Sequence, residues 1–188
     1  QASPPADELT ASREAAWASR VTFHSGVLRV DMKGMRLTDA DVAEWCAWVP
    51  AVLEPLTRAS SAPLANADLD FSDNAIEDGG MELIASLLRR CNVHCARISM
   101  DHNCLTDHSV SLVSELVSHF RLPVLEFRME HNHAEGSPGA LLGLARALQA
   151  NTMYPVFRQD QQRYTPFRLN LAYNAVEEPL TLTQQLKE

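Results

Sequence analysis

Residues 98–105 read ISMDHNCL, with apolar side chains at the first, third and eighth positions and asparagine at the sixth. Four further stretches align with it: VDMKGMRL at 30–37, LDFSDNAI at 69–76, FRMEHNHA at 127–134 and LNLAYNAV at 169–176. We call these five stretches the aligned segments. Four of them carry asparagine at the sixth position, and Met35 replaces it in the first. An asparagine that recurs in one register indicates an internal repeat.

The order of residue types in a segment predicts its local structure. Apolar residues two positions apart face the same side of a short strand. The asparagine follows where the chain leaves that strand, and its amide can satisfy backbone groups of neighbouring turns because it both donates and accepts. Apolar residues at helical spacing come next, and Thr106 and the Ser137-Pro138 pair are good helix starts. Strands and helices are therefore expected to alternate.

The aligned segments resemble the leucine-rich repeat, LxLxxNxL, over residues 28–176. They start near 30, 69, 98, 127 and 169, so the steps are 39, 29, 29 and 42 residues. A step of 29 residues with a helix in each unit is similar to the ribonuclease-inhibitor-like subclass. The resemblance implies an α/β fold: a short solenoid in a horseshoe arc, with about five parallel strands on the concave face and helices on the convex face.

Three regions are expected along the chain. Residues 1–24 form a partly helical N-terminal cap, residues 25–176 the leucine-rich-repeat domain, and residues 177–188 a partial repeat or C-terminal cap. The two long steps place insertions near residues 55–63 and 153–166. Insertions in repeat proteins often lie on the binding face, although a loop of this length is also tolerated without any role.

Composition narrows the function classes. The formal net charge of -8 argues against nucleic acid and anionic membranes as partners. The four cysteines show no disulfide framework, which favours an intracellular and most simply cytoplasmic location. Phosphate-binding loops, HExxH and GxSxG are absent from the sequence. We therefore expect no enzyme activity and no cofactor.

Side chains that flank the apolar strand positions are expected to stack in columns about 4.8 Å apart. One column alternates in charge and either holds the strands in register or meets a charged partner; it contains Arg29, Asp68, Arg97, Glu126 and Arg168. At the far end of the strands, Asp101 lies beside Glu130 and His102 beside His131. Like groups placed together cost stability, and such sites are more often functional.

The predicted binding residues come from these columns: Asp70, Asp101, His102, Arg128, Glu130, His131 and Tyr173. We predict no metal here, although Asp101, Glu130 and the histidines 102, 131 and 133 offer donors. The Cys91–His94–Cys95 group likewise lacks a matching half-site. A pH-sensitive protein contact is the alternative use of the histidines.

These features favour a non-catalytic protein–protein interaction module, a scaffold or adaptor that binds another protein on its concave face and adjacent loops. The strand near Asn170 offers an edge for pairing or continuation. The alternative is a regulator of an enzyme, such as a small-GTPase activator or inhibitor. Repeat proteins that activate the Ran GTPase supply an arginine in a loop after a strand, whereas the residues before the four asparagines are Asp73, His102, His131 and Tyr173. A metal-assisted hydrolase is a third hypothesis.

Overall fold

The computed structural model describes residues 6–58, 64–159 and 161–176. Helices and strands alternate along most of this length, as the spacing predicts. The helices are α1 (Ala6–Ala18), α2 (Asp39–Arg58), α3 (Asp78–Arg90), α4 (Asp107–His119) and α5 (Pro138–Ala150). The strands are β1 (Val21–His24), β2 (Val27–Asp31), β3 (Leu64–Asp70), β4 (Val93–Ser99), β5 (Glu126–Arg128), β6 (Val156–Arg158), β7 (Arg163–Thr165) and β8 (Arg168–Asn170).

Six of the strands form one sheet in the order β1-β2-β3-β4-β5-β8. β1 is antiparallel to β2, and the remaining neighbours are parallel. Each helix from α2 to α5 contacts the next, so the helices form a layer on one face of the sheet. None of the helices in the described ranges combines the length and the apolar character that a membrane span requires.

The prediction of a leucine-rich-repeat solenoid with about five parallel strands is wrong. The main sheet has six strands of three to seven residues, and it is mixed because β1 runs antiparallel. Ser25 and Gly26 both have positive φ, which closes β1 and β2 into a tight hairpin. β6 and β7 pair with each other as a separate two-stranded ribbon, so β5 pairs with β8 instead. The molecule is an α/β protein with a mostly parallel sheet.

Alternating strand residues build the core between the sheet and the helices. Leu69, Ile98 and Phe127 point inward and are at most 3% exposed, because neighbours along a strand face opposite sides. Trp17 of α1 is buried against the same core and packs on Trp48 at a ring distance of 5.7 Å. The N-terminal helix predicted within residues 1–24 therefore covers the start of the core.

Two expectations fall partly or wholly outside the described residues. The predicted insertion near 55–63 begins inside α2, which continues to Arg58, and residues 59–63 are not described. The predicted C-terminal cap at 177–188 also lies outside the described ranges. Pairing at the edge of β8 stays a prediction for the same reason.

The asparagines of the aligned segments join consecutive strand ends through buried and partly buried hydrogen bonds. The amide oxygen of Asn103 accepts from the backbone N–H of Ile76 at 3.0 Å. Its amide nitrogen donates to the carbonyls of Phe71 at 3.0 Å and Met100 at 3.1 Å. Asn74, Asn132 and Asn174 repeat this arrangement in their own segments. Each amide thus satisfies backbone groups that have no strand partner.

A second set of hydrogen bonds connects the helix starts. An aspartate in the first turn of one helix accepts from the backbone just before the next helix. Three such contacts join consecutive helices: Glu77 to Asp39 (2.8 Å), Thr106 to Asp78 (3.0 Å) and Ser137 to Asp107 (2.6 Å). These aspartates were not singled out from the sequence, because each reads as an ordinary acidic residue in the first turn of a helix.

These contacts affect the acidity of Asp78 and Asp107. Burial raises the pKa of Asp78, but hydrogen bonds from Ser109 and Thr106 outweigh that effect and lower its pKa overall. Burial opposes the bonds from Ser137 and Gly136 in the same way at Asp107, whose pKa is also lowered. A carboxyl with a depressed pKa in the folded state stabilises the fold above its unfolded pKa of about 3.9. That stability is lost as the pH falls through the folded pKa.

Replacing Asn103 with alanine should lower the free energy of unfolding by roughly 1–3 kcal/mol, because the buried N–H of Ile76 loses its acceptor. The carbonyls of Phe71 and Met100 each lose one of two amide donors and keep the one from Asn74 or Asn132. Urea denaturation measures the change. Gln149→Ala, which removes an exposed amide from α5, is the matched control and should shift stability by less than about 0.5 kcal/mol. Equal stabilities for the two variants would contradict a structural role for the asparagines.

Asp78→Asn should make the stability of the protein less dependent on pH in acid. The parent chain is expected to lose stability as the pH falls from about 6 to about 3, because Asp78 takes up a proton in the unfolded chain near its unfolded pKa of about 3.9 while folded Asp78 stays ionised to lower pH. The variant has no such carboxylate to titrate. Urea midpoints at the two pH values measure the difference. Glu82→Gln, on the exposed surface of α3, controls for the loss of one negative charge. An unchanged pH dependence in Asp78→Asn would argue against the helix-start contacts.

Candidate functional site

The chain turns out of each strand of the aligned segments through a residue in the left-handed region. This residue immediately precedes the sixth position of the segment, and the five have φ between 53° and 67°: Gly34, Asp73, His102, His131 and Tyr173. Non-glycine residues adopt this region infrequently. Backbone bonds hold the turns together, as in His102 N–H to the Glu130 carbonyl at 2.8 Å. The side chains of this column therefore have fixed starting points.

Three of these side chains form a continuous stack of rings. The centroids of His102 and His131 are 4.2 Å apart, and those of His131 and Tyr173 are 4.3 Å apart with planes only 7° from parallel. All three residues are exposed, and Tyr173 exposes 75% of its surface. We call His102, His131 and Tyr173 the aromatic stack. The two histidines are thus neighbours, as predicted, and Tyr173 extends the row of rings to a third strand end.

Arg128 organises the acidic residues beside the stack. Its Nε donates to Asp101 Oδ2 at 2.9 Å, and its Nη2 donates to Glu130 Oε1 at 3.0 Å. Asn170 also donates its side-chain amide to Glu130. We call Asp101, Arg128, Glu130 and Asn170 the charge network. The expected repulsion between Asp101 and Glu130 is offset, because a guanidinium lies between the two carboxylates.

The charge network keeps Arg128 ionised. Partial burial lowers the pKa of this guanidinium, but the charges of Asp101 and Glu130 outweigh burial and raise its pKa overall. Asp101 is only 8% exposed, whereas the Arg128 side chain is 40% exposed. One edge of the guanidinium therefore contacts the acids while the rest remains accessible to a partner.

Asp101 also accepts a backbone hydrogen bond at the end of the neighbouring strand. In the same column as Arg128, Asp70 and Asn170 each accept from the backbone N–H two residues further on, at 2.9 and 3.1 Å. Arginine has no acceptor to offer. Arg128 therefore cannot accept the hydrogen bond from the N–H two residues further on, and Asp101 of the neighbouring segment accepts it instead, from Glu130 N–H at 2.8 Å. A change at Asp101 would therefore disturb the strand end as well as the charge network.

Asp70 is the predicted site residue that the structure sets apart. It lies in β3, with Ser99 of β4 between it and Arg128 in the sheet register. Its carboxylate accepts from Ser72 N–H, and its charge helps Asp73 to raise the pKa of Lys33. Asp70 thus belongs to a neighbouring turn, whereas the other six predicted residues lie in the aromatic stack and the charge network, which Asn170 joins without having been predicted.

The possible metal ligands around His94 have other partners. Nε2 of His94 lies 3.1 Å from the Asn92 side-chain oxygen, and Nδ1 accepts from Leu122 N–H at 3.2 Å. Cys95 is buried, and burial raises the pKa of its thiol. Within residues 6–58, 64–159 and 161–176, no group of three or more histidine, cysteine or acidic side chains has the geometry to hold a metal ion.

The charge network should behave as a coupled unit. In a double-mutant cycle of Arg128→Gln and Asp101→Asn, we expect a coupling free energy of about 1 kcal/mol, measured by urea denaturation, because Asp101 is buried. The exposed pair Arg89–Glu115, at 2.8 Å, is the matched control and should couple by less than about 0.5 kcal/mol. A coupling no larger than that of the control pair would mean that Arg128 does not hold Asp101.

No protein-family model matches the chain, and no curated protein matches it in sequence. The resemblance to leucine-rich repeats rests on the aligned segments, and as a family assignment it stays a prediction.

Proposed function

We propose that this chain is a non-catalytic protein-interaction module whose partner docks on the aromatic stack and the adjacent charge network. The observation that carries the proposal is the exposed, ordered column of His102, His131 and Tyr173. Tyrosine and arginine are the residues most often found at energetic centres of protein interfaces. Here Tyr173 and Arg128 lie at neighbouring strand ends.

The stack is prepared for binding before a partner arrives. Each ring is attached to a residue in the left-handed region, and the backbones of His102 and His131 are held by hydrogen bonds to the next turn, as in His131 N–H to the Ala172 carbonyl at 3.0 Å. Stacking further limits the rotamers of the rings. The side chains of the aromatic stack therefore lose little conformational entropy when a partner binds, which is how rigid aromatic residues contribute affinity.

The charge network supplies direction to the same surface. The accessible part of Arg128 can donate to a carbonyl or carboxylate of the partner, and its two acids fix the orientation of the guanidinium. Polar groups around an apolar contact set specificity and orientation more than affinity. An open surface also favours binding over catalysis, because catalytic sites generally exclude water.

An intracellular, cytoplasmic setting is part of this proposal. All four cysteines are free thiols. Burial raises the pKa of Cys46 to about 12, so this thiol stays protonated and unreactive at neutral pH. Free thiols of this kind are typical of proteins in a reducing compartment.

The test removes the rings and preserves the backbone. Immobilised parent chain and the double variant His131→Asn/Tyr173→Asn are each exposed to native extract, and captured proteins are quantified by mass spectrometry. Asparagine tolerates positive φ, so the turns should keep their shape. We expect one protein to be retained stoichiometrically by the parent chain, and its affinity, measured after purification, to fall at least tenfold in the variant.

Phe23→Thr is the control, because it removes an exposed aromatic ring from β1 at the opposite edge of the sheet. It should leave capture and affinity unchanged. Melting temperatures of all three proteins confirm that the variants are folded. If the partner binds the double variant as tightly as the parent chain, the aromatic stack is not the docking surface.

A further inference from the structure

A cleft lies at the other end of the strands, between the sheet and the β6–β7 ribbon. Its volume is about 480 Å³, within the range of ligand sites. Its charged lining consists of four arginines and two acids: Arg29, Arg97, Arg163, Arg168, Asp68 and Glu126. We call this the arginine cleft. Arg97 lies within β4 and His102 follows the end of that strand, so the cleft and the aromatic stack lie at different ends of the parallel strands.

The cleft assembles because the strand register and the ribbon bring separated residues together. Arg29, Asp68, Arg97, Glu126 and Arg168 are consecutive partners across the sheet, as the alternating column predicted. Arg163 was not predicted to join them. It lies in β7 on the same side as Thr165, which also lines the cleft, while Tyr164 alternates to the other side.

The arginines of the cleft differ in how many hydrogen-bond and ion-pair partners their side chains have. Asp68 binds Arg97 through two hydrogen bonds of 3.0 Å, and Arg163 donates its Nε to Gln161 at 2.7 Å. Within the part of the chain that the structure describes, the side chains of Arg29 and Arg168 have no ion pair or hydrogen bond. Two guanidinium groups are therefore available to a ligand, with the remaining donors of Arg163 beside them.

The net charge of the residues that line the cleft is opposite in sign to the net charge of the whole protein. Four arginines against two carboxylates leave an excess of two positive charges in the cleft, whereas the whole chain has a formal net charge of -8. Asp68 and Glu126 separate the three sheet arginines, so the guanidinium groups of Arg29 and Arg168 offer two separate positions for anionic groups. Planar guanidinium forks match carboxylates with two parallel hydrogen bonds.

We infer that the arginine cleft binds an acidic peptide segment, with glutamate or aspartate carboxylates held by Arg29, Arg168 and Arg163. This inference deepens the proposed protein-binding function and rests on it, but it concerns a separate surface. The segment is expected to cross the strands at the ribbon, and Asp68 and Glu126 can accept from its backbone N–H groups.

A peptide fits these observations better than a nucleic acid does. The two acids of the cleft would face the phosphates of a polyanion directly, and the overall negative charge of the protein would repel it. A short acidic peptide carries fewer charges and also offers backbone donors. The mixed lining of the cleft suits that combination of groups.

The test uses a fluorescein-labelled peptide of six glutamates and a matched peptide of six glutamines, with binding followed by fluorescence anisotropy. The parent chain should bind the glutamate peptide more tightly, and added salt should weaken that binding. Arg29→Gln/Arg168→Gln should weaken it at least tenfold. Arg121→Gln, an exposed arginine outside the cleft, should change the affinity less than twofold.

Three outcomes would overturn the inference once circular dichroism shows that the variants are folded. These are equal binding of the two peptides, unchanged affinity in the double variant, and tighter arginine-dependent binding of a single-stranded oligonucleotide of equal charge. The variant His131→Asn/Tyr173→Asn should bind the glutamate peptide like the parent chain. That comparison separates failure of the arginine cleft from failure of the aromatic stack.

Discussion

The hydrogen bonds of the asparagine amides in the aligned segments hold the strand ends at a constant spacing, and the rest of the structure depends on that spacing. Each amide bonds to its own turn and to the preceding one, as Asn103 does with Met100 and Phe71. The residue before each asparagine consequently enters the left-handed region at an equivalent place. Rings placed there lie 4.2–4.3 Å apart and stack. The candidate site is thus a direct product of the interaction that satisfies the backbone.

Much of this arrangement could be predicted because it depends on residue type and register. The asparagine pattern indicated the strand ends, and period-two alternation placed Arg97 between Asp68 and Glu126, as the sheet has it. The solenoid prediction failed where local turns intervened. Ser25-Gly26 closes a hairpin that adds an antiparallel strand, and the stretch that looked like a loop insertion folds into its own ribbon. Neither turn disturbs the apolar periodicity, so the pattern of apolar residues did not reveal them.

Side-chain direction limited the prediction of the site. Column positions made Asp101 and Glu130 neighbours, but they did not show that the Arg128 guanidinium would turn between them. That choice depends on rotamers and on the missing acceptor at position 128. Arg163 illustrates the same limit at longer range, because its place over the sheet follows from the ribbon and from nothing in the spacing of the aligned segments. Local chemistry therefore predicted which residues are near each other better than it predicted how they interact.

The left-handed column has a consequence for how this protein can change. Main-chain hydrogen bonds to the next turn hold the backbone at Asp73, His102 and His131, and an asparagine follows each of these residues and Tyr173. The side chains of all four residues are exposed. The four side chains already differ in charge, size and aromaticity within one molecule. Substitutions at these positions, natural or engineered, can therefore change the recognition surface while leaving the packed interior as it is.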